Sequence, residues 1–368
     1  MSLTNSRRAA PTAGPCISCK PVPKPTATER DVIVIAPQWV GDAILSLPLI
    51  RQLANEYRHV DVLAVPAVRA VYQACPEVCQ LRIENFQHGK LQLRDRKKIA
   101  RELSGRYATA IVCPNSLKSA LIPWLARIPV RRGTTGESRY WLINDHRNPV
   151  LSGPGKRPSM LHTYLGFADT PMPPQAIDRF GRHRPVLTVS GTVPDTQRLV
   201  LCPGAEYGPA KQWPADYFAQ VATHWLDQSP AHTVVIVGGP KDISIGNEIE
   251  GLAVQGDVKK QARLINLCGK TRLEEAFAEI AKAGQVVSND SGLMHAAAAL
   301  DVPVIAVFGS TDPHHTPPHS SKATVLSLGL SCSPCFQRTC PLGTTACLKD
   351  LQPDRVINAL AGVRAAQP

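Results

Sequence analysis

Short apolar runs alternate with longer half-polar stretches along most of this chain. Residues 32–36 (VIVIA) read as a buried strand, because a continuous β-branched run of that length suits a sheet interior. A turn, Pro37-Gln38-Trp39-Val40-Gly41-Asp42, follows, then a helix to about Tyr57. Ile50, Leu53, Ala54 and Tyr57 give that helix an apolar face at the i, i+3, i+4, i+7 spacing. Residues 60–65 and 108–113 read as two further strands. Polar, helix-like sequence lies between them, including the basic stretch 94–101. From Pro171 to about Gln197 the texture changes to Pro-Met-Pro-Pro and Gly-Arg-His-Arg-Pro, which marks a connection. The pattern then restarts, with strands over 199–202, 233–237, 286–288 and 304–308 and helices over 215–226 and 273–281.

Alternation of this kind predicts an α/β protein with parallel sheets covered by helices on both faces. Two doubly wound, Rossmann-like halves facing a central cleft are expected: 31–185 and 198–352, with a helical tail over 353–368. At 368 residues the chain is long enough for a core in each half. Residues 1–30 are rich in Pro, Thr and Ala and are expected to be a flexible arm. They lack the continuous apolar segment of a signal peptide, and no apolar run reaches the length of a membrane span.

Composition changes the picture in two ways. The net charge is +12, with 41 Lys and Arg against 29 Asp and Glu, which favours an anionic partner. No nucleic-acid module signature is present, and aromatic content is only 5%, so a phosphorylated small molecule or lipid headgroup fits better than nucleic acid. Cysteines number 11. Cys113, Cys202 and Cys268 lie in or beside apolar segments and read as buried thiols. Cys332, Cys335, Cys340 and Cys347 have C-x2-C-x4-C-x6-C spacing, which leaves open a structural zinc site, reduced thiols or a local disulfide.

Four loops follow strands, and ligands of open α/β sheets bind beyond the carboxyl ends of strands. The first loop carries Gly41 and Asp42; Asp42 reads either as a general base or as a helix cap. The second, CPGAEYGPAKQWP, holds Gly204 and Lys211; the ammonium either neutralises a diphosphate or is a solvated loop charge. The third is GGPKD, with Gly239 and Asp242, either a ribose contact or a plain turn. The fourth, VVSNDSGLMHAAAAL, ends a strand and opens an alanine-rich helix at Asp290, Ser291 and Gly292. Its free backbone N–H groups suit a phosphate, and Ser291 and His295 are one turn apart on one face. The alternatives there are a well-capped helix and a packed core histidine.

Together these segments resemble the ADP-heptose:lipopolysaccharide heptosyltransferases, family nine of the glycosyltransferases. The resemblance is carried by WVGDAILSLPLIRQL, PGAEYGPAKQWP, GGPKD, SNDSGLMHAAAALDVPVIAVFGSTDPHHTPP and CSPCFQRTCPLGTTACLKDL, between about residues 31 and 351. The PGAEYGPAKQWP and C-P-L-G segments look like the subtype that adds the second heptose of the inner core. The resemblance implies the GT-B fold and a donor, ADP-L-glycero-β-D-manno-heptose, held mainly by the C-terminal half. It implies inverting transfer to the first heptose of an anionic Kdo-lipid A core, with Asp42 as base and Lys211 on the donor diphosphate. It places Asp290, Ser291, Gly292, Leu293, Met294 and His295 beside the nucleotide and sugar. RRGTTGESRYWLINDHR also looks like the subtype and assigns Arg131, Arg132 and Arg139 to the acceptor, with plain surface charge as the alternative. No cofactor or divalent metal is expected to be essential, and the four tail cysteines occur in the subtype without a known metal requirement. The implied location is the cytoplasm, in peripheral contact with the inner face of the inner membrane, with no nucleic-acid partner. Competing readings are a transferase for another heptose position or another ADP-sugar, and a nucleotide-binding protein without turnover.

Overall fold

The structure, a computed structural model, describes residues 31–87, 89–149 and 157–365. The arm expected over 1–30, with Cys16 and Cys19, lies outside the described residues. The first half runs β1 (Asp31–Ile35), α1 (Val40–Leu45), α2 (Leu47–Glu56), β2 (His59–Ala64), α3 (Arg69–Gln73), β3 (Gln80–Ile83), α4 (Leu93–Leu103), β4 (Thr109–Val112), α5 (Leu117–Leu125), β5 (Val130–Gly133), β6 (Asp145–His146) and α6 (Met160–Leu165). The second half runs β7 (Asp195–Cys202), α7 (Ala215–Gln228), β8 (Thr233–Ile236), α8 (Ile243–Val254), α9 (Val258–Gln261), β9 (Leu264–Asn266) and α10 (Leu273–Ala281). It ends with β10 (Ala283–Asn289), α11 (Gly292–Ala299), β11 (Val304–Val307), β12 (Ala323–Leu326), α12 (Ala346–Lys349) and α13 (Pro353–Ala365).

Both sheets are six-stranded, ordered β3-β2-β1-β4-β5-β6 and β12-β11-β10-β7-β8-β9. Every pairing is parallel. Counted from its own first strand, the second sheet repeats the order of the first, which is the Rossmann arrangement. Each therefore has a switch point beside its first strand, and the loops after β1 and β7 open there. The central strands are the β-branched runs: Val32, Val34, Val234, Ile236, Val304 and Val307 are fully buried. The edge strands QLRI, LIN and ATVL were not expected, being short and half polar.

The single helix expected up to Tyr57 is two. Ser46 ends α1 by turning its hydroxyl onto Ala43 O, at 2.7 Å, and Pro48 sits in the first turn of α2, where its missing N–H costs nothing. Ala54 is exposed; the buried stripe of α2 is Leu47, Leu49, Ile50 and Leu53. Ala43 and Ile44 of α1 and Met294, Ala296 and Ala297 of α11 belong to one apolar cluster, so the two halves share a core where these helices meet. Small residues make that approach possible: a Cβ on Gly41 would lie 2.8 Å from the His295 ring, and one on Gly292 would lie 2.8 Å from Val40 Cβ. The C-terminal helix α13 buries Val356 and Leu360 in the core of the second half.

Candidate active site

Between the halves lies a cleft of about 700 Å³. Its lining brings together Gly41 and Asp42, Gly204 and Lys211, Gly239 and Asp242, and Asp290, Ser291, Gly292, Leu293 and His295. All four strand-end loops singled out in the sequence thus face one space. Met294 does not: it is fully buried in the shared core. It is set about 100° round the helix from His295, on the side that packs into the core, so the structure gives its side chain no place beside the donor.

Asp42 stands in the first turn of α1, which Trp39 caps without any side-chain hydrogen bond. Burial raises its carboxyl from 3.8 to about 6; Lys211 pulls the value down and Asp290 pushes it up. This carboxylate is therefore tuned from the opposite half of the molecule. Lys211 ends a tight turn over Pro209–Lys211, and its Nζ lies 2.6 Å from Asp290 Oδ2. It also sits 4.9 Å from the centroid of the Tyr207 ring. Asp290 is 4% exposed, and the same Oδ2 accepts from Thr311 Oγ1. A lysine fixed in this way projects a cation into the cleft at a defined place.

Ser291 is the N-cap of α11, and its hydroxyl accepts from Met294 N at 3.5 Å. The positive end of α11 thus opens onto the cleft beside Lys211. His295 is 5% exposed, and burial pushes its pKa down to about 4, so the ring is neutral at pH 7 where it packs on Gly41. Asp242 Oδ2 accepts from Gly239 N at 2.8 Å and holds the GGPKD turn, and a Cβ on Gly204 would lie 2.6 Å from that oxygen. Glu206 and Lys241 form an exposed ion pair at the same side of the cleft.

Asn289 was missed in the sequence. Fully buried, it accepts from Trp213 N at 3.1 Å and donates to Pro203 O at 2.7 Å, clamping the lysine loop to the end of β10. The signal was there: an asparagine at the end of an apolar strand must find partners when buried. Thr271 and Arg272 also line the cleft, and nothing in their spacing marks them.

The three arginines assigned to the acceptor hold the first half together instead. Arg131 donates to Leu142 O and Ile128 O, both at 2.7 Å. Arg132 pairs with Asp145 at 2.6 Å and Asp169 at 2.8 Å, and also donates to Phe167 O. Arg139 has no exposed surface; it donates to Thr134 O, Pro114 O, Ser116 O and Ser119 Oγ. Burial pushes its pKa down to about 10. Basic residues in a run read as solvated or ligand-binding, but here short strands and tight turns consume their donors. Arg139→Ala is expected to cost roughly 2–4 kcal/mol, since it orphans several buried carbonyls. A clear fall in Tm would establish this structural role; an unchanged Tm with weakened acceptor binding would restore the acceptor assignment.

The four tail cysteines lie near one another: burial and then Cys332, Cys335 and Cys340 push the Cys347 thiol up. Cys332 is exposed, and Cys335, Cys340 and Cys347 are partly buried free thiols. Among the described residues, no three His, Cys, Asp or Glu side chains converge as metal ligands. Cys340 accepts from Thr345 N at 3.4 Å, and hydrogen bonds of this kind hold its pKa below the ordinary value.

Residues 96–346 match the family described as Glycosyltransferase family 9 (heptosyltransferase). The chain is 37% identical over 345 residues to lipopolysaccharide heptosyltransferase 2 of Salmonella typhimurium, covering 89% of this chain and 97% of that protein. The same figures hold for lipopolysaccharide heptosyltransferase 2 of Escherichia coli. The solved structure of E. coli ADP-heptose LPS heptosyltransferase II superposes with a TM-score of 0.75 at 34% identity, covering 90% of this chain and 98% of that one. E. coli heptosyltransferase WaaC with ADP has the same fold, with a TM-score of 0.62 at 17% identity. Two Rossmann-like sheets facing one cleft are the GT-B arrangement, and the family match makes this one a glycosyltransferase. The chain belongs to glycosyltransferase family 9, the heptosyltransferases.

Proposed function

We propose that this enzyme is a heptosyltransferase II: it moves heptose from ADP-L-glycero-β-D-manno-heptose to the first heptose of a Kdo-lipid A core, with inversion. The observation that carries the reading is the meeting of Asp42 from one half with Lys211 and the start of α11 from the other. An inverting transfer needs a base on the acceptor and positive charge on the leaving group, on opposite sides of the sugar. Asp42 takes the proton of the acceptor hydroxyl. The freed oxygen bonds to the anomeric carbon of the heptose, and the bond from that carbon to the β-phosphate oxygen breaks, its electron pair leaving with ADP. Lys211 and the N–H groups at Ser291 and Gly292 receive the diphosphate charge, so no divalent metal is required. Asp242 and Gly239 serve the ribose end. The net charge of +12 suits an acceptor bearing phosphates and carboxylates. Among the described residues no helix is long and apolar enough to cross a membrane, and the reading places the enzyme in the cytoplasm at the inner face of the inner membrane.

The test is ADP release from ADP-heptose with two acceptors, bare Kdo-lipid A and the same core carrying one heptose. Turnover on the heptosylated core alone is expected. Turnover on the bare core would reassign the step to the first heptose, and binding of ADP-heptose with no turnover on either would overturn the reading.

A further inference from the structure

The basic stretch 94–101 has no part in the cleft, and the structure shows what it builds. On α4, Arg94, Lys97, Lys98 and Arg101 follow the i, i+3, i+4, i+7 spacing and are all exposed. Arg96, Ile99, Ala100 and Leu103 repeat the same spacing on the buried side. None of the four outer cations makes an ion pair with a described residue. Glu102 is spent on Arg82, which leaves Asp95, at the N-terminal end, as the one acidic residue of this helix against four cations.

Helix α5 packs beside α4 on the same face of the first sheet, tied to it by Arg96 donating to Lys118 O at 2.9 Å. This neighbour contributes the aromatic part of the surface. Trp124 is 40% exposed and meets Trp141, 59% exposed, edge-on at 5.4 Å; Tyr140 beside it is 60% exposed. Leu91 and Leu93 add exposed apolar surface where α4 begins. Water-facing tryptophan and tyrosine side chains next to an unpaired cation row are the combination that binds a lipid interface: the rings seat at headgroup level and the cations meet anionic lipids. We propose that the α4–α5 face, with Tyr140 and Trp141, docks the enzyme on an anionic lipid bilayer.

A second feature fits this occupant. A cavity of about 230 Å³ lies under the same two helices, lined by Arg96, Lys118, Ser119 and Ile122. Gln38, in the loop that leads to Asp42, lines both this cavity and the cleft. Docking by this face therefore sets the bilayer on the half of the molecule whose first strand-end loop carries the proposed base. The functional logic of docking rests on the heptosyltransferase reading; the binding itself does not.

Co-sedimentation with vesicles tests the two separately. Wild-type protein is expected to sediment with phosphatidylcholine vesicles containing one third phosphatidylglycerol and not with phosphatidylcholine alone. Lys97→Glu/Lys98→Glu is expected to weaken that binding at least about tenfold, each cation near the surface contributing substantially. Trp141→Ala is expected to weaken it severalfold. Both variants should keep wild-type Tm and wild-type turnover of a de-acylated, water-soluble acceptor. Lys259→Glu/Lys349→Glu makes the same charge change at exposed positions elsewhere and should bind as wild type. Equal loss in that control would reduce the effect to bulk charge and overturn the proposal, as would wild-type binding by the α4 variant. Failure of wild-type protein to turn over any acceptor would count against the enzymatic reading and leave the vesicle result standing.

Discussion

Asp42→Asn is expected to lower kcat by about 10²–10⁴-fold, the usual worth of a positioned general base, while ADP-heptose still binds. The pH profile gives the sharper check. Burial holds the Asp42 carboxyl at about 6. The base must be ionised to accept a proton, so wild-type kcat/KM should fall about tenfold per pH unit below pH 6 and level off above it. The variant should lose that acid limb. Stability should move the other way. A carboxyl whose folded pKa lies above its unfolded value favours the native state at low pH, and that contribution is lost as pH rises through 4 to 6. At neutral pH the ionised Asp42 thus costs the fold on the order of 3 kcal/mol, from a shift of about two pH units. Asparagine removes that cost, and Tm should rise by a few degrees at pH 7. An Asp42→Asn enzyme that turns over normally would sink the assignment; one that is inactive because it is unfolded would contradict the stability argument.

Much of this site was legible because its chemistry sits where strands end. VIVIA, TVVIV and VIAVF announce central strands by β-branching, and the residues just after a buried parallel strand must face the crevice. Asp42, Lys211, Asp242 and Asp290 each follow such a strand. What stayed hidden depends on rotation and pairing over long sequence distances. Met294 falls one position from His295, yet the helical turn sends it into the core. Arg131 and Arg132 look solvated until β5 pairs beside β6, which sets Asp145 against Arg132. The strands QLRI, LIN and ATVL escape because a sheet edge needs less apolar sequence than its centre.

Lys211→Ala is expected to reduce kcat by about 10²–10³-fold, comparable to removing a preorganised charge from a developing oxyanion. Its further consequences separate this lysine from an ordinary loop charge. Asp290 is almost wholly buried and would lose its 2.6 Å partner. Breaking a buried pair from one side costs about 3–5 kcal/mol, so Tm should fall. Asp42 would lose the charge that pulls its pKa down and keep the one that pushes it up. The acid limb of any residual activity should then move above pH 6. Adding Asp290→Asn to Lys211→Ala removes both disturbances at once. The double variant should recover most of the lost Tm and return the acid limb toward pH 6, while kcat stays low, because the cation for the departing ADP is still missing. Recovery of kcat in the double variant would mean that Lys211 acts only to balance Asp290. A low kcat with restored stability would place its charge on the leaving group, on the opposite side of the transferred sugar from Asp42.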